Sequence, residues 1–371
     1  MAKLMVSNVT GGFLILFSVT LCLCGSVASA QTAEVRSSKG YELLRAGNVD
    51  GAVTEFREAL KLDTKYIAAH FGLAQAQEIK GDLPNAIKEF QAAVELNPQS
   101  AEFHLRLGGA LSRAGRQEEA VSSFSRALDL SPYSSQPLIA LGAAYAQMHR
   151  TEAAVAALVR ALGYDPDNSA IHLTLAQVYA DVSKWPESVR EFQAALRLQP
   201  DSRSARIGLI SAFNGWKRYA EAAREIEPIL KANPNDLDLR ASYAIALDGL
   251  NRRDEAVKEY KTILAANPNV AIIWGNLGWT QYGMGKYDDA IQSSRKALDL
   301  DSKLAYVRLN LGLIYAVQGD WERSKKEYAD ALAITKPEDV RAGIDDIRDA
   351  IKAHPDLQSL KNALKLLENT K

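Results

Sequence analysis

Apolar residues recur at helical spacing along nearly the whole chain, as in Phe103, Leu107, Ala110 and Leu111, then again in Val121, Phe124, Ala127 and Leu128. Each such pair of runs predicts two short amphipathic helices. The runs themselves repeat: AVTEFREALKLD, AIKEFQAAVELNP, AVSSFSRALDLSP, SVREFQAALRLQP and AIQSSRKALDLDS begin at Ala52, Ala86, Ala120, Ser188 and Ala290, separated by 34 residues or multiples of 34. Extending that period gives nine units without an insertion: 33–66, 67–100, 101–134, 135–168, 169–202, 203–236, 237–270, 271–304 and 305–338.

The punctuation between the runs fits a helix-turn-helix unit. Gly47, Gly81, Gly115, Gly285 and Gly319 stand between the two predicted helices, where a residue that tolerates positive φ ends a helix without a Cβ clash. Pro98, Pro132, Pro166, Pro200, Pro234 and Pro268 close six units, because proline lacks the N–H and disfavours helical geometry before it. Position 20 is Ala in seven units and Ser188 or Ser324 in the other two, small enough for close approach of two helix backbones.

These motifs resemble the tetratricopeptide-repeat family, whose pattern is W-x2-L-G-x2-Y, A-x3-F, A, P. The eighth unit carries Trp274, Leu277 and Gly278; the third carries Leu107, Gly108, Ala120, Phe124, Ala127 and Pro132. The resemblance implies an all-α, right-handed α-solenoid in which neighbouring units stack to bury what none can bury alone. Residues 339–371 fall outside the period and read as two amphipathic capping helices, Val340–Lys352 and Leu357–Glu368, parted by His354 and Pro355.

Residues 1–30 read as a secretory signal: Lys3, a short apolar run from Phe13 to Cys24, and Ala28-Ser29-Ala30 as a cleavage site, leaving Gln31 first. An uncleaved anchor is the alternative, although about 20 apolar residues are needed to span a bilayer. Lipidation at Cys22 or Cys24 is a third possibility, opposed by Leu21 and Leu23 where a small residue is expected. After cleavage at Ala30 the chain is expected to be exported, periplasmic or secreted, with no stable membrane insertion.

Charge and composition narrow the chemistry. Across 371 residues, 44 Lys and Arg meet 45 Asp and Glu, so no basic field exists for nucleic acid. Both cysteines lie in the first 30 residues, which leaves the remainder without a thiol nucleophile or ligand. His70, His104 and His172 occupy position 4 of their units, so successive ones stand at least one helix-packing distance apart and no metal is expected. Gly283, Gly285 and Lys286 imitate a phosphate loop, but Tyr287 replaces its hydroxyl residue and Thr280 its first glycine. Asp288 with Asp289 and Asp345 with Asp346 are adjacent in sequence and diverge on a helix. No enzyme activity and no cofactor are expected. Trp185, Tyr219, Tyr287 and Trp321 share position 17 and read as packing residues.

In the family that the chain resembles, positions 2, 5, 9, 12 and 13 of the first helix line a groove that takes peptides or helices. Carried over, this gives an apolar ladder of Phe71, Leu105, Ile139, Leu173, Ile207 and Leu309 at position 5. Packing between adjacent first helices explains such a ladder equally. Towards the C-terminus the groove gains Asn276 and Asn310 at position 6, Trp279 at position 9 and Tyr282 at position 12. The asparagines resemble those that hold peptide backbones in some long arrays of the family. No unit has the Lys at position 5 with Asn at position 9 by which chaperone-binding members grip a C-terminal carboxylate. The expected role is a protein-interaction scaffold or assembly factor outside the cytoplasmic membrane, binding a protein or peptide partner. A structural spacer is the alternative, and an enzyme's accessory subunit a more distant one.

Overall fold

The computed structural model describes residues 32–335 and 337–369, so the reading of residues 1–30 lies outside the described residues. All regular structure among the described residues is helical, in line with the all-α expectation. Helix α1 spans 32–45 and is followed by α2 (Val49–Leu62), α3 (Ile67–Ile79), α4 (Leu83–Leu96), α5 (Ala101–Arg113), α6 (Gln117–Leu130), α7 (Ser135–Gln147), α8 (Thr151–Tyr164) and α9 (Ser169–Asp181). Then come α10 (Trp185–Leu198), α11 (Arg203–Gly215), α12 (Tyr219–Ala232), α13 (Leu237–Gly249), α14 (Arg253–Ala266), α15 (Ala271–Gly283), α16 (Tyr287–Leu300), α17 (Ala305–Val317), α18 (Trp321–Leu332), α19 (Pro337–Ala353) and α20 (Gln358–Glu368). Two compact bodies make up the chain, one ending at Val178 and the other beginning at Tyr179.

Within each body, helices pair as antiparallel hairpins and each hairpin stacks on the next, the arrangement of a helical-repeat solenoid. The interior follows the period. All nine position-20 residues, from Ala52 to Ser324, have no exposed surface. Position 24 supplies the filling side chain: Phe56, Phe90, Phe124, Leu158, Phe192, Ile226, Tyr260 and Tyr328 are all at most 4% exposed. Glycine at position 8 makes room for it in several units. A Cβ on Gly108 would lie 2.5 Å from the Phe124 ring, and one on Gly142 would lie 2.5 Å from Leu158. The position-17 aromatics pack similarly, Tyr219 against Gly249 and Trp185 against Gly215.

Position 4 explains a second regularity. His70, His104, His172, Arg206, Arg240, Trp274 and Arg308 each direct a side-chain nitrogen to the backbone carbonyl six residues earlier, from Thr64 to Ser302, at 2.7–3.4 Å. This satisfies a carbonyl in the turn between units that no helix can pair. His70, Arg206, Arg240 and Arg308 also reach a glutamate 19 residues on, Glu89, Glu225, Glu259 and Glu327. The histidines are therefore turn clamps, which is why they share a position with Arg and Trp.

Two helices, α19 and α20, follow the last helix pair. Helix α19 begins at Pro337, inside the ninth predicted unit, and α18 ends early at Leu332. Helix α20 packs against both α17 and α18, whereas α19 packs against α17 and α20. Ser359 Oγ of α20 donates to the carbonyl of Ala316.

Candidate functional site

The groove residues expected from the sequence fall into separate places. In the N-terminal body Phe71, Leu105, Ile139 and Leu173 are half-buried. The rings of Phe71 and Phe103, on neighbouring first helices, are 4.9 Å apart, so this part of the ladder packs between helices as well as facing outward. Leu105 borders an open recess of about 740 Å³ with Gly109, Ala140 and the Arg113–Glu78 ion pair. In the C-terminal body Ile207 is 38% exposed and borders a hollow of about 260 Å³ with Ile210, Ile229 and Leu239.

Leu309 corrects the ladder. It is only 4% exposed, because α19 lies over it with Gly343 close to its side chain. Its position in the repeat is that of a groove residue, but helix α19 has made it core.

Asn276, Trp279, Leu309 and Asn310 converge on one recess of about 670 Å³ in the C-terminal body. Position 6 of α15 and α17 brings the two asparagines to the same wall, one helix apart. Neither amide has a hydrogen-bond partner among the described residues. Trp279 stacks at a tilt on Tyr282, centroids 5.2 Å apart, and both rings rest on the core built by α17, α18, α19 and α20. Tyr282 thus supports the tryptophan from behind and does not itself line the recess.

Further residues complete the walls: Tyr219, Asp248, Arg253, Tyr306 and, from α19, Ala342, Gly343 and Asp346. Asp248 and Tyr306 stand at positions 12 and 2 of their units, which are among the groove positions that the resemblance implies. Nothing in the period pointed to the α19 residues. Arg253 Nε approaches Asp248 at 3.3 Å while its Nη1 donates to the Gly283 carbonyl at 2.7 Å, which fixes the guanidinium beside the recess.

The electrostatics of the recess are set by two poorly solvated carboxylates. Burial pushes Asp248 above the ordinary aspartate range despite Arg253 beside it. Asp346 is pushed up to about 6 by burial and by Asp349 and Asp345, against a smaller opposing pull from Lys217. Burial also raises the phenols of Tyr306 and Tyr282, the latter to about 12, so both are neutral donors at physiological pH. Such a site offers amides, a neutral aromatic wall and partial negative charge. It has no nucleophile–base pair, and among the described residues no group of three His, Cys, Asp or Glu gathers to hold a metal ion.

Comparison with known proteins matches the Tetratricopeptide repeat family over residues 38–101, 80–135, 113–178, 145–210 and 217–277, and a TPR repeat over 282–319. No curated protein matches the chain. Among solved structures, PilW, described as a widely conserved type IV pilus biogenesis factor, is similar with a TM-score of 0.52 and 23% identity, covering 56% of this chain and 97% of its own. A Pseudomonas aeruginosa protein, pilF, gives 0.48 and 19% identity over 58% of this chain and 96% of its own. YrrB, described as a TPR protein with an unusual peptide-binding site, gives 0.41 and 18% identity over 46% and 88%. The likeness to PilW is one of fold alone.

Proposed function

The chain belongs to the tetratricopeptide-repeat family, and from that membership we propose a non-enzymatic scaffold or assembly factor that acts outside the cytoplasmic membrane and binds a partner peptide or protein segment on its first helices. The observation that carries the proposal is the pair of unpartnered amides, Asn276 and Asn310, set beside Trp279 in one recess. An extended or helical segment entering there meets donors and acceptors for its polar groups and an aromatic surface for its apolar ones. Phe71, Leu105, Ile139 and Leu173 in the N-terminal body and Ile207 in the C-terminal body hold the equivalent repeat position, each within its own body, as half-buried or exposed apolar residues. Export rests on the N-terminal reading. No described helix is long and apolar enough to cross a membrane.

The test compares affinity capture from envelope extract by the intact chain, by an Asn276→Ala/Asn310→Ala chain, and by a chain altered on a second helix, Arg126→Ala. Proteins retained by the first and third but lost by the second support the scaffold. Equal capture by all three removes the recess from the function, and capture of nothing by any of them leaves the spacer reading. N-terminal sequencing of protein recovered from the envelope is expected to begin at Gln31; a start at Met1 refutes the cleavage.

A further inference from the structure

We propose that α19 is a displaceable occupant of the first-helix face of the C-terminal body, seated where an incoming amphipathic helix binds, so that the chain's own C-terminal segment gates the recess. The proposal rests on the reading of that recess as the partner site and adds its regulation.

Three observations carry it. First, α19 does not close the array alone, since α20, itself packed on α19, covers the last helix pair as well. Helix α20 already packs on both α17 and α18, with Leu360, Ala363 and Leu367 at most 1% exposed. Helix α19 packs on the first helix of that pair, on the side that bears position 5.

Second, its apolar stripe does what a bound helix would do. Ile347 has no exposed surface, Ala350 is 6% exposed, and Gly343 lets the helix backbone come close to Leu309. Ile207, at the same repeat position without such a cover, is 38% exposed.

Third, little besides apolar contact holds the helix down. Among the described residues no hydrogen bond or ion pair joins α19 to α13, α15 or α17. Its polar links are Arg348 to Glu368 of α20 and pairs within itself, Arg348 to Asp345 and Lys352 to Asp349. Asp346 enters the recess wall without an ion pair. Around it stand Asp345 and Asp349 on its own helix, Lys217 after α11, Asp248 and Arg253 across the recess, and the phenols of Tyr219, Tyr282 and Tyr328. Its carboxyl is held well above the ordinary aspartate range while docked. Docking is therefore most favourable in acid and weakens as the pH rises through about 6, where the docked carboxyl must ionise. The partner that fits is an amphipathic helix with a small and aliphatic stripe and a neutral or basic residue where α19 carries Asp346.

The geometry supplies a lock for the test. A Cβ on Gly343 would lie 3.7 Å from that of Leu309, within the range of about 3.5–4.5 Å that a disulfide spans. In the full chain with Cys22 and Cys24 changed to Ser, Leu309→Cys/Gly343→Cys should therefore close on oxidation and pin α19. The probe is a fluorescent synthetic peptide of residues 337–353, followed by anisotropy. It should bind a full chain carrying Ile347→Asp, whose own helix is expelled. Binding to the oxidised lock should be at least about tenfold weaker, since a tethered helix competes at high effective concentration. Equal binding to both, or none to the Ile347→Asp chain, overturns the proposal.

Should Ile347→Asp fail to fold, hydrogen exchange of the unaltered chain decides. Amides of 341–353 should exchange at least about tenfold faster than those of α17 at about pH 7.5, after correction for intrinsic rates. The difference should narrow near about pH 5, and Asp346→Asn should abolish the pH dependence. Exchange of α19 in step with α17 at both pH values refutes the gate. Neither measurement uses a partner protein, so loss of asparagine-dependent capture would remove the proposed function and leave these results standing, and the reverse holds equally.

Discussion

Position 15 of each unit offers a perturbation whose size depends on the backbone alone. Gly47, Gly81, Gly115, Gly285 and Gly319 have φ of 73–82°, and a Cβ on any of them would meet nothing within 4 Å. His149, Ser183, Lys217 and Asn251 occupy the same position in the other four-unit stretch, with φ of 56–62°. The turn is the same in both sets, since the amide after the positive-φ residue closes on a carbonyl five residues back. Asp82 N donates to Gln77 O, and Arg150 N to Tyr145 O, each at 2.9 Å. Gly81→Ala therefore adds no clash and costs the left-handed penalty of about 1–2 kcal/mol. The alanine's smaller unfolded-state entropy returns about 0.4–1 kcal/mol of that. The net is a loss of about 1 kcal/mol. His149→Gly, in the same N-terminal body and at an exposed side chain, should give a gain of similar size by the reverse argument. Urea denaturation followed by circular dichroism measures both. Shifts of the same sign in the two variants, or a loss above about 3 kcal/mol for Gly81→Ala, would refute the turn geometry.

Leu107, 7% exposed within the core that joins Phe90, Phe124 and Leu141, should lose about 2–5 kcal/mol on truncation to Ala; a shift well below about 1 kcal/mol in urea denaturation would mean that the register is wrong. His70 has an acceptor at each ring nitrogen, Glu89 at 2.6 Å and the Thr64 carbonyl at 3.0 Å, and the glutamate above all raises its pKa. The sign follows from linkage. A raised histidine pKa stabilises fully below the unfolded value of about 6.5 and is lost as the pH rises through the folded one, so His70→Ala should cost more at about pH 5.5 than at about pH 9. Denaturation at the two pH values with equal or inverted costs would exclude the charged pair.

How much of this was legible depended on whether a residue belonged to the period. The first helices begin at Ile67, Ala101, Ser135, Ser169, Arg203, Leu237, Ala271 and Ala305, each the first residue of a unit drawn from the sequence. Repetition made this possible. A boundary that is ambiguous in one unit is resolved when eight others share it, and every unit must bury the same positions against its neighbours. The role of position 4 was only half legible. His, Arg and Trp look unalike by hydropathy, yet each carries a side-chain N–H, and the carbonyl they serve lies in a turn whose direction the pattern does not state.

Helix α19 was the point where the period ran out. Its amphipathic spacing implied one covered face, and in the structure Ile347 and Ala350 are buried, but periodicity says only that a face is covered, never by what. A capping helix and a groove-filling helix write the same pattern. What distinguishes them is a residue that a simple cap would not choose: Asp346, a carboxylate that the helix turns into a recess lined by Asp248. An apolar or basic residue there would seat the helix without the cost of a buried carboxylate. The acid at that place weakens the seat of α19 above about pH 6 while leaving the stripe that positions it intact. That combination of complementary shape and opposing charge suits a helix meant to be exchanged. The same helix, with Gly343 against Leu309, is why Leu309 obeys the groove rule in sequence and breaks it in structure.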